Sequence, residues 1–157
     1  MASVRDLPVD SALAHELLTE YFRSREIGFA RQGAVYTPTF PDPSAFTPPA
    51  GVFLVLRGDD GEPSGCGGVR RIPDGPAGVR YEIKHLYVQP AGRGRGWGRM
   101  LLSALESRAR AWGAAELVLD THHSLEAAAA LYAASGFELV ERFNQNPNAT
   151  VWLAKRL

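Results

Sequence analysis

The chain has 157 residues, 17 basic and 17 acidic side chains, and a single cysteine, Cys66. That length suits one domain over residues 1–157 with a core of its own. Zero net charge leaves no basic footprint for nucleic acid and no pull toward a membrane surface. A lone cysteine excludes a disulfide framework and a cysteine metal site, and no apolar run reaches bilayer-spanning length. The expectation is a soluble cytoplasmic protein without a metal; the pair His122-His123 has no third ligand near it in sequence and reads as an exposed loop.

Leu13, Leu17, Leu18, Tyr21 and Phe22 recur at helical spacing, with Asp10 or Ser11 as cap. Prolines 38, 41, 43, 48 and 49 make the stretch from Gly33 to Pro49 a loop or a short irregular helix. Gly51 to Arg57 is strand-like, and Asp59-Asp60-Gly61 turns it into a hairpin partner from Pro63 to Ile72. Pro73-Asp74-Gly75-Pro76 is a second turn, before a strand from Gly78 to Val88. Leu101, Leu105, Ala109 and Trp112 line one face of a helix, Glu106 and Arg110 support it four residues apart, and Gly113 ends it. Leu117 to Thr121 is a strand. Ser124 caps a helix ending at Gly136, and Phe137–Phe143 and Thr150–Lys155 read as closing strands. The order α, loop, βββ, α, β, α, ββ describes an α/β domain with a mixed, mostly antiparallel sheet.

Between the strand ending at Val88 and the helix beginning near Trp97 lies Gln89-Pro90-Ala91-Gly92-Arg93-Gly94-Arg95-Gly96-Trp97-Gly98-Arg99. Glycines let main-chain N–H groups approach an anion, the helix N-terminus adds unpaired N–H groups, and arginines supply charge-assisted bonds to phosphate. A Walker loop would need Lys after a glycine, and none follows. A dinucleotide fingerprint would need GxGxxG near a first strand, whereas Gly94, Gly96 and Gly98 are more tightly spaced and lie mid-chain.

Arg93-Gly94-Arg95-Gly96-Trp97-Gly98 resembles instead the acetyl-CoA pyrophosphate loop of the GCN5-related N-acetyltransferase (GNAT) superfamily. Tyr81–Val88 resembles that family's fourth strand, Leu117–Thr121 its fifth, and Ala128 to Phe137, with Leu131-Tyr132 and Gly136-Phe137, its A-x-x-LY-x-x-x-GF helix. The Asp120-Thr121 segment resembles a bacterial subgroup with an LDT motif. The resemblance is strong from Val79 to Phe143 and covers the rest in outline. It implies the GNAT fold, with splayed central strands flanked by helices, and acetyl-CoA as co-substrate.

It also implies site residues. Arg93, Gly94, Arg95, Gly96, Trp97, Gly98 and Arg99 would hold the pyrophosphate, chiefly by main chain. Arg93 and Arg99 are better side-chain candidates than Arg95, and Trp97 is either core or cofactor-flanking. Leu86, Tyr87 and Val88 would pair with the pantetheine arm, the Val88 N–H being the candidate oxyanion donor. Many members carry Asn where this chain has Leu125, so that contact is lost, or met by Ser124 or by main chain. Tyr132 would be the general acid at the cofactor sulfur, or a packing residue of its helix. Glu82 sits where some members keep their general base. A partly buried carboxylate suits proton removal, and the alternative is a strand Glu paired with Lys84 or an Arg. Alternation would put Glu82, Lys84, Leu86 and Val88 on one side unless a bulge intervenes.

Phe29, Arg31, Tyr36, Phe40, Asn144, Asn146 and Asn148 are candidate acceptor-lining residues. Acids near the site are few (Glu26, Asp42, Glu82), which disfavours a polycationic acceptor. The expected activity is direct acetyl transfer to the primary amine of a small metabolite. A protein lysine or N-terminal amine, and a non-catalytic acyl-CoA sensor, stay open as alternatives, and a homodimer rests on family analogy alone.

Overall fold

The computed structural model describes all 157 residues. The chain runs β1 (Ser3–Asp6), α1 (Ala12–Ala30), a 3-10 turn at Pro43–Phe46, β2 (Gly51–Arg57), β3 (Pro63–Gly75) and β4 (Gly78–Val88). A second 3-10 turn at Pro90–Gly92 leads to α2 (Trp97–Ala111), β5 (Glu116–Thr121), α3 (Glu126–Ala134), β6 (Glu138–Leu139) and β7 (Val151–Arg156). The strands make one sheet in the order β1-β2-β3-β4-β5-β7-β6, and only β4 and β5 run parallel. No helix is long and apolar enough to cross a membrane.

The expected mixed, mostly antiparallel sheet is present, with four differences in detail. β1 was not foreseen: Ser3–Asp6 holds a single strongly β-favouring residue, Val4, and is strand only because it pairs with Arg57 to Leu54 of β2. The second hairpin turns at Pro76-Ala77, since Gly75 pairs with Gly78 across a register shift after Ile72. The predicted closing strand Phe137–Phe143 shrinks to Glu138–Leu139. Ser124 does not cap α3: Leu125 is the N-cap without a side-chain bond, and the Ser124 hydroxyl pairs with His122 Nδ1 at 2.7 Å. At α1, Ser11 is the cap, accepting from the Ala14 N–H.

The sheet is buried on both faces. Alternation sends Val52, Leu54 and Leu56 of β2 to a core with Leu101, Leu105 and Ala109 of α2, and Phe53 and Val55 to a second core with Leu17, Leu18 and Phe22 of α1. In β4 this parity breaks. Tyr81 and Ile83 face the α2 core, but Tyr87 belongs to the α1 core and Leu86 and Val88 pack on the α2 side. Cys66 pairs with Tyr87 and Gly68 with Lys84, so β4 carries one extra residue there, and His85 adopts φ +57°. The bulge therefore separates Glu82 and Lys84 from Leu86 and Val88, which unbroken alternation would have kept on one face.

β4 and β5 pair only at Arg80–Glu116, Tyr81–Leu117 and Glu82–Val118. Beyond them β5 stays with β7 to Thr121–Val151, while β4 stays with β3 to Val88–Gly65. The two central strands part as a V, and the functional cavities open in the gap.

Gly68 lies beside the bulge because a Cβ there would sit 2.6 Å from the ring of buried Phe46. Gly68→Ala is expected to lower stability by about 1–3 kcal/mol through overpacking, read as a drop in urea midpoint at unchanged slope.

Candidate active site

Two cavities fill the V. One, of about 580 Å³, is lined by Leu86, Tyr87 and Val88 of β4, by the Gly92–Arg99 loop and by Ser124, Leu125 and Leu131 at α3. The other, of about 410 Å³, is lined by α1, the segment from Tyr36 to Phe46, Ile83–Leu86 and Leu119–His122. They share Arg25, Phe29, Leu86, Leu125 and Tyr132.

The first cavity is built for an anion. The main-chain N–H groups of Gly94, Arg95, Gly96, Trp97, Gly98 and Arg99 meet no main-chain acceptor, and the α2 N-cap, Gly96, contributes no side-chain bond. Six successive donors at a helix N-terminus are a concave positive surface. Gly94 and Gly96 hold φ +80° and +79°, which ordinary side chains disfavour. Gly98 has another reason: a Cβ would lie 3.3 Å from Leu131, so its absence lets α2 approach α3. Arg93 donates to the Val88 carbonyl at 3.3 Å. Arg99 lines the cavity, whereas the Arg95 guanidinium lies over the Trp97 ring at 5.2 Å, outside the lining. Trp97 is both core and cavity wall. The Gln89 N–H points to Ser64 of β3, so alternation turns the Val88 N–H away from β3 and into the V.

Tyr132 of α3 is 7 % exposed and stands where the cavities meet. Its hydroxyl is engaged by no protein group, and no fully buried side-chain polar atom lacks a partner, so it must open on the cavity. Burial, and then Tyr21, push its ionisation above the usual phenol range, against a smaller opposite pull from Arg25. Tyr132 therefore keeps its proton and faces the cavity as a donor.

The second cavity combines charge with aromatic walls. Glu82, only 2 % exposed, receives Arg70 Nε and Nη2 on one oxygen at 3.0 and 2.9 Å. It does not line the cavity; Arg70, Lys84 and Asp120 do. The partner of Glu82 is thus an arginine rather than Lys84, whose Nζ lies 3.9 Å from Asp120. Asn144 Nδ2 donates to Asp120 at 2.6 Å and approaches Glu82 at 3.4 Å, and Asn146 Nδ2 donates to the other Asp120 oxygen at 3.0 Å.

The loop Asn144-Gln145-Asn146-Pro147-Asn148 acts at alternate residues. Asn144 Oδ1 accepts the Asn146 N–H, and Asn146 Oδ1 accepts the Asn148 N–H, each forming a turn. The amide groups of Asn144 and Asn146 reach the carboxylates, while Asn148 exchanges two bonds with the Thr37 main chain, at 2.9 and 2.8 Å. These asparagines are turn formers and site residues at once. Of the expected acceptor-lining set, Phe29, Tyr36, Phe40, Asn146 and Asn148 line the cavity; Arg31 does not, and Asn144 works from behind.

Sequence reasoning missed Arg25, Arg70 and His85. Arg25 lies on the Tyr21 ring at 5.0 Å, one helical turn away, a spacing visible in sequence. Arg70 and His85 carry no local signal, because their roles depend on strand pairing.

The family comparison agrees with this geometry. The model of the acetyltransferase (GNAT) family matches residues 12–137. The chain belongs to that family. It is 36% identical over 102 residues to an uncharacterised N-acetyltransferase of Schizosaccharomyces pombe, covering 65% of this chain and 61% of that one. A Klebsiella pneumoniae structure described as an acyl-CoA N-acyltransferase superposes with a TM-score of 0.81 at 28% identity, covering 100% of this chain and 98% of the other. An Elizabethkingia anophelis GNAT acetyltransferase with acetyl-CoA bound shares the fold with a TM-score of 0.67 at 16% identity, over 99% and 98%.

His85 packs among Tyr21, Phe22 and Phe46. Burial first, then Lys84 and Arg70, pull it down from 6.5 to about 3. The unfolded chain takes up a proton near pH 6.5 that the folded chain refuses. The neutral-His contribution is therefore complete above that pH and is lost as pH falls toward the folded value, by up to about 1.4 kcal/mol per pH unit. Urea titrations between pH 7 and 4 should show this decline, and His85→Asn, tolerant of the left-handed backbone, should flatten it.

Proposed function

We propose that the protein transfers the acetyl group of acetyl-CoA directly to the primary amine of a small metabolite, with both substrates bound together. The observation that carries this reading is the junction: an anion cradle and a charged, aromatic cavity meet at the free hydroxyl of Tyr132. Acetyl-CoA suits the first cavity because six free N–H groups match a pyrophosphate and the outward Val88 main chain offers pairing to an amide-containing arm. It would supply a thioester carbonyl and a thiol leaving group.

Around that carbonyl the chain offers one group for each demand of the reaction. The Val88 N–H would stabilise charge developing on the carbonyl oxygen. Tyr132 would give its proton to the departing sulfur as the new C–N bond forms and the C–S bond breaks. The amine must first lose a proton. Glu82 and Asp120, linked by Asn144, form the carboxylate pair for this task. Asp120 faces the cavity, and Glu82, shielded by Arg70, would be reached through water. Thr37 is tied to Asn148 beside the cavity, which favours a small acceptor over a polypeptide segment.

Calorimetric titration with acetyl-CoA, alongside thiol release over a panel of amines, tests the reading; absence of acetyl-CoA binding would overturn it. Tyr132→Phe is expected to lower kcat about ten- to a hundredfold with little change in acetyl-CoA affinity. Unchanged kcat across pH would remove Tyr132 from the acid role.

A further inference from the structure

The acceptor cavity holds a cation whose hydrogen-bonding capacity the protein leaves open. Lys84 is only 20 % exposed, yet its ammonium donates no hydrogen bond. Its nearest carboxylate, Asp120, lies 3.9 Å away and already receives two asparagine amide groups at 2.6 and 3.0 Å. Its three donors are unspent and open on the cavity, where an anionic group of a guest can take them. Arg25, at the junction, pairs with no carboxylate and rests on the Tyr21 ring, whereas Arg70 is matched by Glu82. The cavity lining thus carries Arg25, Arg70 and Lys84 against two acids, Asp42 and Asp120, and Lys84 stands beside Asp120.

Around these charges stand Phe22, Tyr36, Phe40 and Phe46, with Phe40 edge-on to Phe22 at 5.0 Å. Such a wall recognises a flat apolar group. Lys84 and Asp120 present opposite charges side by side, as an α-amino acid presents its carboxylate and ammonium on one carbon.

Resting on the acetyl-transfer reading above, we infer that the acceptor is an aromatic α-amino acid, its carboxylate held by Lys84, its amine by Asp120 and its ring by the aromatic wall. Acetylation turns the ammonium into a neutral amide, which ends the attraction to Asp120 while Lys84 still holds the carboxylate. Product release is then favoured by the loss of one of its two charge contacts.

The test compares kcat/KM for phenylalanine, tyrosine and tryptophan with that for phenethylamine, tyramine and tryptamine, each pair differing by the carboxylate. At least one amino acid is expected to exceed its decarboxylated partner by about tenfold or more, as a charge-assisted contact in a mostly buried site allows. Lys84→Met should bring that ratio near one through KM for the acid, and Lys84→Arg should largely restore it. Turnover of the decarboxylated amines at equal or higher efficiency overturns the inference and leaves acetyl transfer standing. An unchanged ratio in Lys84→Met overturns it likewise. Turnover of no amine in any broader panel overturns both.

Discussion

Everything at the site depends on the point where β4 and β5 stop pairing. Three rungs hold them together, and past Glu82 and Val118 each strand follows a different neighbour. Main-chain polar groups in the gap cannot be left dry and alone, so the gap stays open to water or is filled by a ligand that can hydrogen-bond along a strand. The bulge at His85 makes this workable. It ends one alternation and begins another, so Lys84 faces the acceptor cavity while Leu86 and Val88 turn to the α2 side, beside the glycine loop.

The same gap forces charge to be managed at depth. Glu82 and Asp120 stand at the root of the V, where water access is poor, and each is met by a different partner. Arg70 neutralises Glu82 through two N–H groups on one oxygen, and two asparagines fill the Asp120 oxygens. A buried charge left without such partners would cost several kcal/mol. Asn144 is itself held by Trp152 Nε1 at 2.9 Å, which joins β7 to the carboxylates. The loop after β6 is thereby part of the site's electrostatics rather than a bare connection.

What was legible in the sequence follows from how local each feature is. The geometry of the glycine-arginine loop could be read because it lies in the main chain, which glycine spacing reports directly. The α2 face and its Glu106–Arg110 pair could be read because helical contacts lie three or four residues apart. The bulge could not, since its left-handed residue is a histidine where glycine would have been the signal. Arg70 opposite Glu82 is a cross-strand contact fixed by register, which no local pattern reports. The short β6 and the misplaced α3 cap share one cause: the segment from Val140 to Thr150 is spent on asparagine turns and site contacts, and Ser124 on His122, so local propensity yielded to tertiary bonds.

The two cavities differ in how they would hold a guest, and this bears on the order of binding in the proposed reaction. The cofactor side offers fixed main-chain donors and glycines, a surface with little side-chain entropy to lose on binding. The acceptor side is built from longer side chains and from a proline-rich segment tied down at Thr37 by Asn148. On the proposed reaction, a preformed cradle meeting a more adaptable pocket would favour cofactor first and acceptor second. Leu86, Leu125 and Tyr132 wall both cavities, so a cofactor arm lying along β4 would complete the floor on which the acceptor rests. On the proposed reaction the Tyr132 hydroxyl, free of any protein partner, would be oriented by the bound guests and placed to donate to the departing sulfur.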